Sequence, residues 1–378
     1  MKIKTKKESL LESIQLISIT SPKTILPILS TILLEARENK LTLIATDLEL
    51  SIKTNLELEV ITEGSICLPL KKLSEIIREL EDKEDVLIEV DENNRAVISS
   101  KESVFHLFGL PKEDFPVFPE YEKEKSFKME STLIKEMIRK TIFATSTDET
   151  HYILKGVLFV VQGNQCKMVA TDKHRLVFIK KTLPEELTEE SEVIIPTKVL
   201  TEVNRIIKEN QEINIFLDKN KIVFQTESNE SDSSDKKEII IISKLIEGKF
   251  PDYERVIPRE QDKILKINNQ KLFSVCRRID LMTSEKTNII KLDISKNKIN
   301  FSSNTPNLGD AREELEVYYE GEDMQIAFNP KYIMNVLKNI EQEEITLSLK
   351  NSSSSGIIKP GEEKEGEDYL CVLMPKRI

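Results

Sequence analysis

The sequence has no tryptophan, few glycines and few histidines, and each shortage closes a class of function. With Trp absent and aromatic residues at 6%, platforms on which nucleic-acid bases could stack are scarce. The 10 glycines do not cluster, and no GxxxxGK[ST] phosphate loop occurs. The three histidines (His106, His151, His174) lie apart, with no HExxH and no GxSxG. The four cysteines (Cys67, Cys166, Cys276, Cys371) form no CxxC pair. Three sit in strand-like apolar stretches and Cys276 in a helix-like one, so all four read as buried reduced thiols. No apolar run approaches the ~18 residues of a membrane span. The N-terminal MKIKTKKESLLESI runs its charges straight into an amphipathic pattern, without the apolar core of a secretory signal. A cytoplasmic protein with no membrane, metal or cofactor is expected.

What the sequence does have is one pattern written three times. The first copy holds LTLIATDLELSI (41–52), CLPLKKLSEIIREL (67–80) and VLIEVDENNRAVISS (86–100). The second holds CKMVATDKHRLVFI (166–179), IIPTKVLTEVNRII (194–207) and INIFLDKNKIVFQT (213–226). The third holds KINFSSNTPNLGDAREELEV (298–317), AFNPKYIMNVLKNI (327–340) and ITLSLKNSSSSGIIK (345–359). Each copy reads as strand, amphipathic helix, strand pair. Ala45-Thr46-Asp47 recurs as Ala170-Thr171-Asp172, and Lys71 recurs as Lys198 and Lys331. Such a period is domain-sized, so each copy can bury its own core. Proline-bearing charged segments at 115–126 and 250–262 end the first two copies. The expected domains are 1–125, 126–258 and 259–378. Two low-complexity insertions, 226–238 and 359–368, read as mobile hairpin loops.

Each copy carries two helical patterns. The openers are 6–18, 131–145 and 269–285; the central ones follow Pro69, Pro196 and Pro330, a proline at or before the first turn being a start signal. Period-2 stretches between them, such as Leu48, Leu50 and Ile52, read as strands. The fold class is α+β, with two helices on one face of antiparallel sheet in each copy. The chain carries a net charge of −11, yet its helical segments carry an excess of Lys and Arg. Helices lining a hole would draw a phosphate backbone in, while the acidic remainder repels it. Counterion release carries no sequence preference, and no base-reading motif is present. The turn ATDKHRL (170–176) sets Asp172 near His174. The same ATD recurs in the first copy without a histidine, so a shared Asp-capped turn explains it better than a catalytic pair.

With LPIL (26–29), ATD (45–47), DFP (114–116), ATDKHRL (170–176), FPDYERVIP (250–258) and MPKRI (374–378) in place, the whole chain resembles the bacterial β sliding clamp family. The resemblance implies three domains of the DNA-clamp fold and a head-to-tail homodimer. Its six domains would form a ring around duplex DNA, a processivity factor that catalyses nothing. The implied partners are the polymerase III alpha subunit, the clamp loader, translesion polymerases and mismatch-repair proteins, each through a clamp-binding peptide. The implied peptide pocket comprises Leu154, Thr171, His174, Arg175, Leu176, Pro251, Arg255 and Val256 from the second copy. From the third it takes Asn329, Tyr332, Ser353, Ser355, Val372, Met374, Pro375 and Arg377. Independently, the tail VLMPKRI is apolar though terminal, as a docked segment would be, and Met offers an adaptable surface. DNA-facing positions are Lys23 and Lys198 by resemblance. Lys71, Arg139, Lys140, Arg205, Arg277, Arg278, Lys331 and Lys338 follow by helix placement. Phe105 and Leu107 are expected to meet Leu281 and Met282 across the dimer seam. The chain departs from the family's common residues at Lys173 (often Gly), His151 (often Arg), Ser353 (often aliphatic) and Lys376 (often apolar). A differently shaped turn before His174 and a pocket less apolar at one end are therefore expected. Two readings of other classes are a three-domain scaffold without DNA, which basic helices argue against, and an enzyme at the Asp172/His174 turn, which lacks a further catalytic group.

Overall fold

The computed structural model describes residues 1–18, 26–123, 126–226, 237–284 and 288–377. The first repeat runs β1 (Lys2–Lys6), α1 (Lys7–Ile17), β2 (Thr31–Arg37), β3 (Lys40–Thr46), β4 (Leu50–Glu57), β5 (Glu59–Thr62), β6 (Gly64–Pro69), α2 (Leu70–Glu79), β7 (Asp85–Val90), β8 (Arg95–Ser100) and β9 (Ser103–Phe108). The second runs β10 (Ser126–Glu130), α3 (Ser131–Thr141), β11 (Gly156–Thr171), β12 (Arg175–Pro196), α4 (Thr197–Ile206), β13 (Glu212–Leu217), β14 (Lys221–Thr226) and β15 (Ile239–Lys244). The third runs β16 (Lys263–Asn268), α5 (Asn269–Asp280), β17 (Ile290–Ser295), β18 (Lys298–Thr305), β19 (Gly309–Glu316), β20 (Met324–Phe328), α6 (Pro330–Leu337), β21 (Glu344–Leu349), β22 (Gly356–Pro360) and β23 (Glu367–Leu373).

All six helical expectations are met. The proline signals fall where a missing N–H costs nothing: Pro330 opens α6 and Pro69 caps α2. Asn268 and Asn329 cap α5 and α6 by accepting from the amides of Lys271 and Lys331, both at 3.0 Å. Buried positions three and four apart give each helix one apolar stripe, as with Leu73 and Ile77 in α2 or Leu272, Val275, Cys276 and Ile279 in α5. The segment from Pro27 to Ser30 is a 3-10 turn. Proline fixes its φ there and removes a ladder donor. The four cysteines are free and buried. Desolvation lifts the Cys67, Cys276 and Cys371 thiols to about 12, so none is a thiolate nucleophile.

Contacts divide the chain into two compact units: 1–134 with 202–245, and 135–201 with 246–378. Each unit holds a terminal repeat and part of the middle one, because strands of different repeats share a sheet. In the first unit the order is β10-β13-β14-β15-β4-β3-β2-β6, beside a second sheet β5-β1-β7-β8-β9. In the second it is β11-β12-β23-β22-β21-β16, beside β19-β18-β17-β20. The equivalence of the repeats shows in the pairing. The opening strand pairs with the first strand after the central helix each time: Ile3 with Ile88, Met129 with Ile213, Ile267 with Ile345. The last strand of one repeat pairs with the strand after the ATD turn of the repeat before: Ile241 with Ile52, and Cys371 with Val177. The 359–368 insertion is the β22–β23 connection, while residues 227–236 of the other insertion lie outside the described residues.

One ion-pair cluster ties the middle repeat to the last within the second unit. Lys140, 3% exposed, lies 2.7 Å from carboxylate oxygens of both Glu136 and Glu367. Lys181 lies 2.7 Å from the other Glu136 oxygen and also contacts Glu367. Burial raises the Glu136 pKa, but hydrogen bonds from Lys140 and Lys181 override it and bring the carboxyl from 4.5 down to about 2. A carboxyl with a depressed folded pKa contributes stability that is complete above its unfolded value and is lost as pH falls through the folded one. We therefore expect part of the acid destabilisation, measured by urea titration between pH 4.5 and about 2, to vanish in Glu136→Gln. That variant should be weaker at neutral pH by about 3 kcal/mol, since it leaves buried ammonium groups short of a partner. An unaltered pH profile in the variant would contradict the cluster's role.

Candidate functional site

The turn joining β11 to β12 organises the site. Thr171 Oγ1 donates to the Arg175 carbonyl at 2.7 Å and accepts from the Lys173 amide at 3.1 Å. Asp172 Oδ1 accepts from the amides of His174 and Arg175, each at 3.0 Å, and its Oδ2 accepts from Arg175 Nε at 3.0 Å. The first repeat builds the same turn. Thr46 Oγ1 bonds the Leu50 carbonyl and the Leu48 amide, both at 3.1 Å, and Asp47 Oδ1 takes the amides of Glu49 and Leu50 at 3.0 and 2.8 Å. Leu48 and Lys173 share a left-handed φ of 75° and 74°. Lys173 thus follows the same backbone path as its twin, because the Thr and Asp side chains dictate it. Asp172 is spent on two amides and a guanidinium, so it does not serve His174 as a base partner.

The site grows outward from this turn. Arg175 is 7% exposed, and its guanidinium lies 4.5 Å from the centroid of Tyr332 and 5.4 Å from that of Phe143. Its Nη2 donates to the Phe143 carbonyl. His174 stacks on Tyr332 with ring centroids 6.3 Å apart. Burial raises the Tyr332 hydroxyl pKa, with Asp172 adding to the effect and Arg175 opposing it, so the ring presents a neutral face. Leu154, Leu176 and Val372 are buried in one apolar cluster, against which Val256 packs half-buried. The tail is docked: the Met374 amide donates to the His174 carbonyl at 2.9 Å, and that of Lys376 to Ala327 at 2.8 Å. Met374 and Pro375 are half-buried and Arg377 is exposed.

The other expected pocket residues also make local contacts. Asn329 is buried as the cap of α6. Pro251 is exposed, and Arg255 is exposed with its guanidinium on Asp252 at 2.8 Å. Ser353 is exposed and accepted by Asn351 in a local turn. The Ser355 carbonyl takes a hydrogen bond from Gln261 at 2.9 Å. Sequence reasoning missed Phe178 and Tyr253, which stack at 6.1 Å and extend the apolar floor. Alternation along β12 marks Phe178 as in phase with Leu176, and that signal was available.

The basic helical residues divide in two. Lys71, Arg277, Lys331 and Lys338 are exposed, Lys338 lying 5.7 Å from the Phe273 ring centroid. Arg139 is exposed but ion-paired to Glu341 at 2.6 Å, and Arg278 is bound to Glu313. Lys198 is half-buried, and Lys23 lies outside the described residues. Two positions require correction. Lys140 is buried between carboxylates and offers no charge to a phosphate. Arg205 donates to the Gln15, Leu16 and Ser18 carbonyls at 3.0 to 3.2 Å, closing the end of α1. Helix placement alone could not separate a solvated cation from one recruited by a buried acid or a helix terminus. At the expected seam, Phe105 is 37% exposed and Leu107 half-buried on β9, and Leu281 is 75% exposed with Met282 half-buried after α5. Among the described residues, no helix is long and apolar enough to cross a membrane, and no cluster of His, Cys, Asp or Glu could hold a metal.

The split between structural and free cations is measurable. Arg205→Ala should lower stability by about 1–2 kcal/mol, because three carbonyls at the end of α1 lose their donor. Lys331→Ala should stay within about 0.5 kcal/mol in the same urea titration; equal losses would show the division to be wrong.

Three domain families cover the chain: the DNA polymerase III beta subunit N-terminal domain at 1–119, its central domain at 128–252 and its C-terminal domain at 254–377. The chain is 33% identical over 368 residues to the beta sliding clamp of Staphylococcus epidermidis, covering 94% of each. It is 32% identical over 374 residues to that of Pseudomonas putida, covering 98% of each. The fold superposes on the DNA polymerase sliding clamp of Pseudomonas aeruginosa with a TM-score of 0.92 at 31% identity, and on that of Bacillus subtilis with 0.91 at 28%, covering this chain in full and 100% and 99% of the others. The chain therefore belongs to the bacterial DNA polymerase III β subunit family, the β sliding clamps.

Proposed function

We propose that this chain is a non-catalytic DNA sliding clamp of three domains, 1–125, 126–258 and 259–378, which closes as a head-to-tail homodimer around duplex DNA. One observation carries the closure. β15 pairs with β4, and β23 with β12, each joining the end of one repeat to the strand after the ATD turn of the repeat before. β9 holds the place of β15 and β23 in the first repeat; β19 holds the place of β4 in the third. Both are sheet edges. An edge strand is a template for further pairing. β9 of one copy meeting β19 of another would repeat the internal junction, with Phe105 and Leu107 facing Leu281 and Met282. Two such heterologous seams make a closed dimer.

DNA held this way is retained by topology, with exposed helix cations (Lys71, Arg277, Lys331, Lys338) supplying a weak, salt-sensitive attraction. The apolar pocket beside the 171–175 turn suits a peptide offering aliphatic and aromatic anchors, each worth ~1.5–3 kcal/mol when fully buried. Polymerase III alpha subunit, clamp loader, translesion polymerases and mismatch-repair proteins are the proposed bearers of such peptides, in the cytoplasm.

Two outcomes test this. Sedimentation at micromolar concentration should give a species near twice 43.5 kDa, and protein loaded on circular DNA should leave when the circle is cut; a strict monomer, or retention on the linear product, would refute encirclement. Separately, removing Met374 to Ile378 should weaken a Gln-Leu-Ser-Leu-Phe peptide by more than about tenfold while leaving the dimer intact. Unchanged peptide affinity would move the docking site elsewhere without touching the clamp reading.

A further inference from the structure

The charges around the docking pocket are unevenly matched. Arg175 has Asp172, Arg255 has Asp252 and Lys155 has Glu149. Lys173 is held differently: its Nζ lies 2.9 Å from His151 Nε2, no carboxylate among the described residues forms a direct ion pair with it, and Asp148 beyond the imidazole feels its charge only at longer range. The ammonium has three N–H donors, so further donors of Lys173 remain for solvent or a ligand. Asp148 sits 3.9 Å from the same imidazole nitrogen and takes the Thr150 amide and hydroxyl at 2.9 and 2.8 Å, so it is engaged locally. Lys173 immediately precedes His174, whose ring stacks on Tyr332, and exposed Arg377 ends the docked tail. An ammonium without a direct ion pair thus borders an apolar pocket on a chain of net charge −11.

We propose that Lys173, positioned by His151, is a carboxylate subsite on the rim of the docking pocket. Through it this clamp favours partner segments whose apolar anchor is flanked by Asp or Glu. The inference rests on the peptide-docking reading of the pocket. Its physical basis is complementarity: an acidic segment is repelled by most of this surface, and a local cation at the rim sets both its approach and its register. The turn itself does not need lysine. The twin position holds Leu48 at the same φ, and glycine would adopt that φ without strain. The ammonium is therefore available for substitution without harm to the backbone.

The test uses full-length protein and two fluorescent peptides with the same Gln-Leu-Ser-Leu-Phe anchor, one flanked by Asp on both sides and the other by Asn. The quantity read is the ratio of their dissociation constants on one protein, which cancels any general loss of affinity. On the native chain the Asp peptide should bind about threefold to fivefold tighter at low salt, the scale of one exposed charge pair, and the preference should fade at ~0.5 M salt. In Lys173→Gly the ratio should fall to about one, and in Lys173→Arg it should persist. A ratio of one on the native chain, or an undiminished ratio in Lys173→Gly, overturns the subsite while peptide binding survives. Failure of both peptides to bind the native chain overturns the docking reading and the subsite with it.

Discussion

Strand pairing between successive repeats is the constraint on which the rest of the molecule depends. A sheet edge presents unpaired N–H and C=O groups that must be covered, paired or left as an invitation. Here the end of one repeat bonds to the strand following the ATD turn of the previous one, over β15 and β4 and again over β23 and β12. The pairing merges strands of different repeats into single antiparallel sheets, which is why the contacts divide the chain into two units and not three. It also brings Val372 and Leu370 beside Leu176 and Phe178. The apolar pocket follows from that register, and a slip of one residue would turn these side chains to the opposite face.

The same pairing determines how charge is used. Where β12 and β23 run side by side, Lys181 and Glu367 are direct partners in register, and Glu136 and Lys140 of α3 complete the cluster. Cations buried in that way are structural, as is Arg205 at the end of α1. The exposed set of cations on the helices is smaller than the sequence suggests. Around the pocket, Arg175, Arg255 and Lys155 each hold a carboxylate, whereas Lys173 rests on His151.

The ATD motif shows how one local solution serves two ends. In the first repeat it connects β3 to β4 and leaves Leu48 and Glu49 pointing at solvent. In the second the identical hydrogen bonds hold His174 and Arg175 against Tyr332. The backbone is fixed by Thr and Asp alone, so the three residues that follow are free to differ in chemistry.

The sequence by itself determined the elements. Helix stripes, proline and Asn start signals, period-2 strands and the threefold succession are local patterns, and local patterns survive in a linear string. They located all six helices, the buried thiols and the Asp-capped turn. Tertiary structure alone decided which side chains meet. Lys140 reads like any solvated helix lysine until Glu367, far away in sequence, is brought to 2.7 Å from it. Arg205 reads as a free cation until the end of α1 arrives beside it. Lys173 has the reverse history: its neighbourhood holds acids in sequence, yet its ammonium rests on the His151 ring at 2.9 Å and makes no direct ion pair. Burial and ion pairing arise from contacts between distant segments, and their spacing along the chain carries no record of the distance that separates them once folded.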